Sequence, residues 1–224
     1  MAPKGGVDRT HARSSAPKLA FALLHAGALA ASGWFAFGAT LPDAVRARLL
    51  FAVAALYFLR HLITLFVLLQ RKVAYGEAVG LSLFLAALEI GFVVLGGRGQ
   101  GGAVVPIGGL DALGLVMVII GSVLNTGSEL QRRQWKQDPA NRGHCYTGGM
   151  FAGSMHINYF GDTVMFAGWA LLTANLWTLA LPLFMAVSFV GYHIPGLDAY
   201  LLERYGDEFR AYAARTAKFV PWLY

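Results

Sequence analysis

Long apolar runs, broken by short polar punctuation, organise this chain. Six of them approach the roughly 20 residues that a helix needs to cross a bilayer. They fall near 18–38, 48–70, 77–96, 108–127, 160–177 and 178–194. The fifth and sixth are short and separated by little more than Asn175 to Thr178, so they read as a helical hairpin. The pattern predicts an all-α, polytopic membrane bundle of about six transmembrane helices. Beyond residue 195 the pattern changes. Tyr200, Leu201, Tyr205, Phe209 and Tyr212 recur at helical spacing opposite a charged face, which predicts an amphipathic helix lying in the membrane interface. The closing Phe219-Val-Pro-Trp-Leu-Tyr224 is aromatic enough to sit at headgroup level. Residues 1–17 are polar and basic, and the apolar run behind them is too long for a signal peptide and lacks a cleavage site. The expected organisation is a short N-terminal tail over 1–17 and one membrane domain over 18–224.

Composition supports the membrane reading: 57% of the residues are apolar and 13% charged, far from the balance of a soluble domain. Charge then orients the spans. With the N-terminus inside, 14 Lys and Arg residues face the cytoplasm, among them Lys4, Arg9, Arg71, Arg132, Arg133, Lys136, Arg142 and Lys218. Only Arg46, Arg48 and Arg98 fall outside, and Arg60 lies within a span. The positive-inside rule therefore places both termini in the cytoplasm. The net charge of +6 follows from this topology and calls for no nucleic-acid partner. The single cysteine, Cys145, excludes an intramolecular disulfide. Cys145, His144 and His156 lack the spacing of a metal site, and none is expected. Gly96-Gly-Arg-Gly-Gln-Gly-Gly102 follows a membrane helix rather than a strand, so it reads as a connector and not a dinucleotide fingerprint. No repeat and no second soluble domain is visible.

Candidate chemistry concentrates in the 129–159 loop and the helix ends that flank it. Tyr146, His156, Asn158, Tyr159 and Asp162 crowd the start of the fifth apolar run, and Asn125, Ser128 and Glu129 stand where the fourth ends. Amides and carboxylates at such depth are costly unless satisfied. A helix cap would account for Asn158 alone, but not for several such residues together. Arg132, Arg133, Lys136 and Arg142 share one loop. They either set topology or hold phosphates, which guanidinium groups grip in bidentate fashion.

These residues carry a resemblance. Gly148-Gly-Met-Phe, Asn158-Tyr-Phe-Gly-Asp162, Tyr205-Gly-Asp and Pro221-Trp-Leu-Tyr resemble the steroid 5-alpha-reductase family, most closely its bacterial-type members. Gly121-Ser-Val-Leu-Asn125-Thr-Gly-Ser128-Glu129 is similar to that family's Gly-x-x-x-Asn-x-x-Ser-Asp helix end. Leu56-Tyr57-Phe-Leu-Arg60 resembles its His-Tyr-Phe-x-Arg element. The C-terminal half is also similar to the sterol C14-reductases and, more distantly, to the isoprenylcysteine carboxyl methyltransferases. The resemblance implies a membrane reductase with NADPH as cofactor, a lipid-like substrate entering from the bilayer, and a cofactor-binding half at about 108–224. It implies cofactor contacts from Asn125, Ser128, Glu129, Arg132, Arg133, Lys136, Tyr146, Asn158, Tyr159 and Asp162, with His193 and Asp198 completing the set. Tyr57 takes the role of proton donor, with Arg60 one turn away.

The sequence also departs from that family. The steroid-type reductases pair the tyrosine with a glutamate on the preceding span, whereas here Phe21-Ala-Leu-Leu-His25 offers only His25. His193 stands where arginine is common, and no histidine-rich run surrounds Asp198. Two alternatives remain open. A methyltransferase using S-adenosylmethionine would carry an Arg-His-Pro-x-Tyr element, of which Met155-His156-Ile157-Asn158-Tyr159 keeps the His and the Tyr. A non-enzymatic lipid-binding or scaffolding protein would need a degenerate site, which the retained Tyr57, Asn125, Asn158 and Asp162 argue against. The membrane would be the endoplasmic reticulum in a eukaryote and the inner membrane in a bacterium.

Overall fold

A computed structural model describes residues 13–224; the polar tail through residue 12, with Lys4 and Arg9, lies outside the described residues. Among the described residues nine α-helices follow one another: α1 (Ser15–Gly33), α2 (Ala44–Ile63), α3 (Tyr75–Gly97), α4 (Gly109–Ser122), α5 (Ser128–Trp135), α6 (Ile157–Leu171), α7 (Ala180–Ser188), α8 (Ile194–Tyr205) and α9 (Asp207–Ala213). No strand occurs among the described residues. The all-α membrane bundle expected from the apolar pattern is the architecture observed. Four helices run on into a π-helical turn: Trp34–Gly38, Thr64–Leu68, Val123–Gly127 and Phe189–His193. Such turns shift the face a helix presents and recur at functional sites. Two of the four carry site candidates, Asn125 and His193.

Among the described residues five continuous helical stretches are long and apolar enough to cross a membrane: Ser15–Gly38, Ala44–Leu68, Tyr75–Gly97, Gly109–Trp135 and Leu176–Tyr205. Helix α3 shows why. It buries Leu85, Leu88, Phe92 and Val93 yet exposes Val79, Leu81, Leu83 and Phe84, so it is apolar on all sides, as a lipid-facing helix must be. The segment expected as a fifth span is shorter than the others. Helix α6 has 15 residues, about 22 Å at 1.5 Å per residue, against a hydrocarbon core of about 30 Å. It stops because Ala174 takes a positive φ of 54° and Asn175 caps the next turn, its side chain accepting from Trp177 N at 3.1 Å.

The chain forms two compact units, one of residues 13–118 with Ala167–Leu181 and the other of Ile119–Phe166 with Pro182–Tyr224. In the first, α1 and α2 pack on α3. Phe21, Ala22, Leu65, Val73, Ala78 and Leu85 form its core, with Tyr57 and Leu62 against it. The helix begins at Ser15, inside the stretch expected as tail, because Ser14 is buried and its hydroxyl accepts from Val73 N at 3.1 Å. Arg46, expected in an external loop, is instead fully buried in the first turn of α2. Asp43 caps that turn by accepting from Arg46 N at 3.1 Å. The Arg46 guanidinium donates to both oxygens of Asp111, to Leu172 O at 2.7 Å and to Val105 O at 3.1 Å. Its Nε makes no hydrogen bond but lies 3.4 Å from Asp43 Oδ2, so the buried guanidinium is held by two carboxylates and two carbonyls.

In the second unit, α4 with its π turn and α6 touch through two glycines. A Cβ on Gly121 would lie 2.4 Å from Met165 N, and one on Gly161 would lie 2.6 Å from Asn125 N. Only hydrogen fits between backbones this close, the small-residue contact that membrane helices favour. The loop before α6 is held by the C-terminal segment. Met155 N donates to Ala217 O at 2.8 Å, the Ser154 hydroxyl to Phe219 O at 2.8 Å, and the Tyr212 hydroxyl to Phe151 O at 2.6 Å. The expected C-terminal amphipathic helix is two helices, because Gly206, at φ 55°, ends α8. The aromatic face of α9 is turned inward: Phe209 and Tyr212 pack on Cys145 and Met155. Trp222 and Leu223 remain exposed while Phe219 is buried.

Candidate functional site

The Gly121–Gly161 contact sets the spacing of the polar groups beside it in the second unit. Asn125, on the π turn, donates from Nδ2 to Asn158 O at 3.0 Å. Asn158 lies in the first turn of α6 and donates from its own Nδ2 to Glu129 Oε1 at 3.0 Å. Glu129 also pairs with Arg132, one turn on along α5. Asn158 therefore does not cap its helix; its amide joins a network of four sequence-selected residues. Ser128 is fully buried and its hydroxyl donates to Asn125 O at 2.9 Å, so it holds the π turn in place. Arg133 is half-buried on the same helix, and Lys136 and Arg142 are exposed beyond it. Lys136 Nζ donates to the Tyr205 hydroxyl at 3.1 Å.

Aromatic rings make a second feature of this unit. His156 stacks on Tyr159 with centroids 5.9 Å apart, Tyr159 stacks on Phe189 at 4.6 Å, and Phe189 meets the edge of His193 at 5.9 Å. His156 is buried and its Nε2 lies 2.8 Å from Asp198 Oδ1, while Lys218 Nζ lies 3.9 Å from the other carboxylate oxygen. His156, absent from the expected ligand set, thus anchors Asp198, which is in it. Tyr146 packs between Trp135 at 5.2 Å and Phe151 at 5.8 Å and braces the loop. Asp162 is half-buried one turn after Asn158. Burial pushes the Cys145 thiol above its usual range, helped by the nearby Glu208 carboxylate, and burial likewise pushes the Tyr212 phenol up. Neither group is therefore a ready nucleophile or acid.

The first unit holds the candidates for proton chemistry. The Arg60 guanidinium lies 5.0 Å from the centre of the Tyr57 ring, a cation–π distance. His25 lies 5.7 Å from the same ring, and His61 stacks on it at 6.0 Å. Sequence reasoning missed two partners here. His25 Nε2 is 2.6 Å from Glu89 Oε1, and His25 Nδ1 is 2.7 Å from His61 Nδ1. Glu89 is a lone carboxylate within the apolar run of α3, and that isolation was the signal that could have found it. Among the described residues no three His, Cys, Asp or Glu side chains are grouped to hold a metal. In this cluster the ring nitrogens of His25 are both turned to hydrogen-bond partners rather than to a common centre.

Apolar helices enclosing such clusters define an integral membrane protein with chemistry-bearing polar groups inside its bundle. Residues 78–216 match the family described as protein of unknown function, DUF1295, and the chain belongs to that family. Over 94 residues it is 31% identical to the probable O-methyltransferase ustE of Ustilaginoidea virens, a stretch that covers 42% of this chain and 33% of that protein. The chain thus spans about a third of the length of this curated relative.

Proposed function

We propose that the protein is a membrane-embedded, NADPH-dependent reductase of a carbon–carbon double bond in a lipid-like substrate: a steroid, sterol, enoyl chain or isoprenoid. The observation that carries this reading is the Asn125–Asn158–Glu129–Arg132 network, with Arg133, Lys136 and Arg142 following it. Two oriented amides and a carboxylate suit the hydroxyls and amide of a dinucleotide, and the cations that follow suit its phosphates. S-adenosylmethionine carries no phosphate and would leave those cations to their topological role alone. When bound, NADPH supplies the hydride. The protein's own contribution is to orient the cofactor with the two asparagines and to give a proton from Tyr57 to the substrate, at the oxygen of the developing enolate where the double bond is conjugated to a carbonyl. Arg60, over the ring, stabilises the phenolate that remains. Asp198 and His193 complete the cofactor set, and both termini face the cytoplasm, in the endoplasmic reticulum or a bacterial inner membrane.

A second reading is methyl transfer from S-adenosylmethionine, and the 31% identity to a probable O-methyltransferase favours it. It makes use of His156 and Tyr159, whose rings stack. One experiment separates the two. The detergent-purified protein is titrated with NADPH, NADH and S-adenosylmethionine by tryptophan fluorescence, and any co-purified small molecule is identified by mass spectrometry. Saturable NADPH binding that weakens in Asn158→Ala supports the reductase. Binding of S-adenosylmethionine with none of NADPH overturns it.

A further inference from the structure

We propose that Glu89, His25 and His61 form a proton relay inside the membrane bundle that stores one proton. It rests on the reductase reading only in being the source from which Tyr57 is recharged. The three side chains come from α3, α1 and α2, and Glu89 and His25 are wholly buried. Glu89 Oε2 has no hydrogen-bond partner, so His25 is the carboxylate's sole polar contact among the described residues. Oligomerisation, helix pairing and topology do not require such a triad, and an ionisable chain inside a span is expected to serve transport of charge or chemistry.

The hydrogen-bond geometry fixes which protons can be present. Two Nδ1 atoms at 2.7 Å must share one hydrogen, so one imidazole donates and the other accepts. Two arrangements satisfy this with both rings neutral. In one, Glu89 is ionised, His25 donates from Nε2 to it, and His61 donates from Nδ1 to His25 Nδ1. In the other, Glu89 carries a proton and donates to His25 Nε2, His25 donates from Nδ1 to His61 Nδ1, and His61 carries its hydrogen on Nε2. They differ by one proton. A proton added at His61 Nε2 moves the Nδ1 hydrogen from His61 to His25 and the Nε2 hydrogen from His25 to Glu89. Two N–H bonds break, at His61 Nδ1 and His25 Nε2, and three bonds form, N–H at His61 Nε2 and at His25 Nδ1 and O–H at Glu89, which accounts for the one added proton. No imidazolium has to persist in the core. Release runs the same steps backwards and delivers the proton at His61, the half-buried member, whose ring stacks on Tyr57.

The groups facing this chain are few. On α2 they are Tyr57 and Arg60, the latter over the Tyr57 ring. The remaining ionisable groups of the three helices lie towards their ends. Lys18 of α1 donates to Leu69 O, Glu77 of α3 pairs with Arg71, and Arg46 and Arg48 belong to the start of α2, with Tyr75 opening α3.

The test reads the Glu89 carboxyl directly. Full-length protein in lipid nanodiscs, without nucleotide or substrate, is transferred to D2O, and the protonated-carboxyl carbonyl band is followed by infrared spectroscopy between about pH 5 and about pH 9, the range in which imidazoles exchange protons. A band that is absent from Glu89→Gln belongs to Glu89. In the wild type it should shift with deuterium, and in His61→Phe that shift should slow by about tenfold or more, as loss of a general acid–base group does. Glu89→Gln keeps the shape and one hydrogen bond, and His61 is not fully buried, so both variants are conservative for folding. A band that never appears, or one whose exchange is unchanged in His61→Phe, overturns the relay. Coupled exchange in a protein that reduces no lipid upholds the relay and overturns the reductase reading. Reduction by a protein whose Glu89 never protonates does the reverse.

Discussion

The two polar clusters are built from different chemistry. Asn158 and Arg132 meet Glu129 with an amide and a guanidinium, and Asn125 donates its amide to the Asn158 backbone oxygen; neither the amides nor the guanidinium change charge near neutral pH. Glu89, His25 and His61 combine a carboxylate with two imidazoles, every one able to gain or lose a proton. The first cluster is half-buried and its cations run on into exposed loop; the second is sealed except at His61. A fixed pattern of donors and charges selects a ligand, and a sealed chain of titrating groups moves protons. On the reading proposed above, recognition falls to one unit and proton supply to the other.

Four changes would break or sharpen that contrast. Gly161→Leu should have the largest effect, since its side chain would drive into Asn125 N and Gly121 O. Overpacking costs about 1–3 kcal/mol and occasionally more, and backbone atoms on both sides put this site at the upper end. Thermal unfolding should show the loss and NADPH binding should vanish. Tyr57→Phe comes next: nucleotide affinity should be unchanged while turnover falls by roughly 10²–10⁴, the usual contribution of a positioned acid. Unchanged turnover would remove Tyr57 from the chemistry. Asn158→Ala leaves Glu129 short of a donor, a loss of about 1.5–3 kcal/mol for a hydrogen bond to a charged group. If the whole of that loss falls on the cofactor, NADPH binding weakens by roughly 10- to 150-fold in the same titration, and turnover falls with it. The smallest effect is Tyr212→Phe. The folded phenol titrates above its ordinary value of 10.0, so its stabilisation is complete below about pH 10 and is lost as pH rises further. Alkaline unfolding should be less steep in the phenylalanine variant.

The bundle was legible because membrane helices announce themselves as apolar runs, and five of the six reach spanning length. The Asn125–Asn158 pair was legible because each amide stands at a helix end beside other polar residues. Glu89 was not, because one carboxylate among apolar neighbours leaves the run unbroken, and its partner is 64 residues away. His61 was hidden beside Arg60. The tail was read as one helix because Tyr205, Phe209 and Tyr212 keep the 3.6-residue period across Gly206, whose positive φ nevertheless breaks it. Periodicity reports which residues share a face and says nothing of a backbone turn between them.

Arg46 gives the protein a schedule. Its guanidinium enters the membrane with α2, yet two of its acceptors, Asp111 and Leu172 O, are 65 and 126 residues further along. At about 5–20 residues per second, the second arrives roughly 6 to 25 seconds after the arginine. Until then the charge must stay hydrated or be shielded by other means. The first unit can close only after Leu172 has been made, so a translational pause before it would hold a half-made bundle in the bilayer.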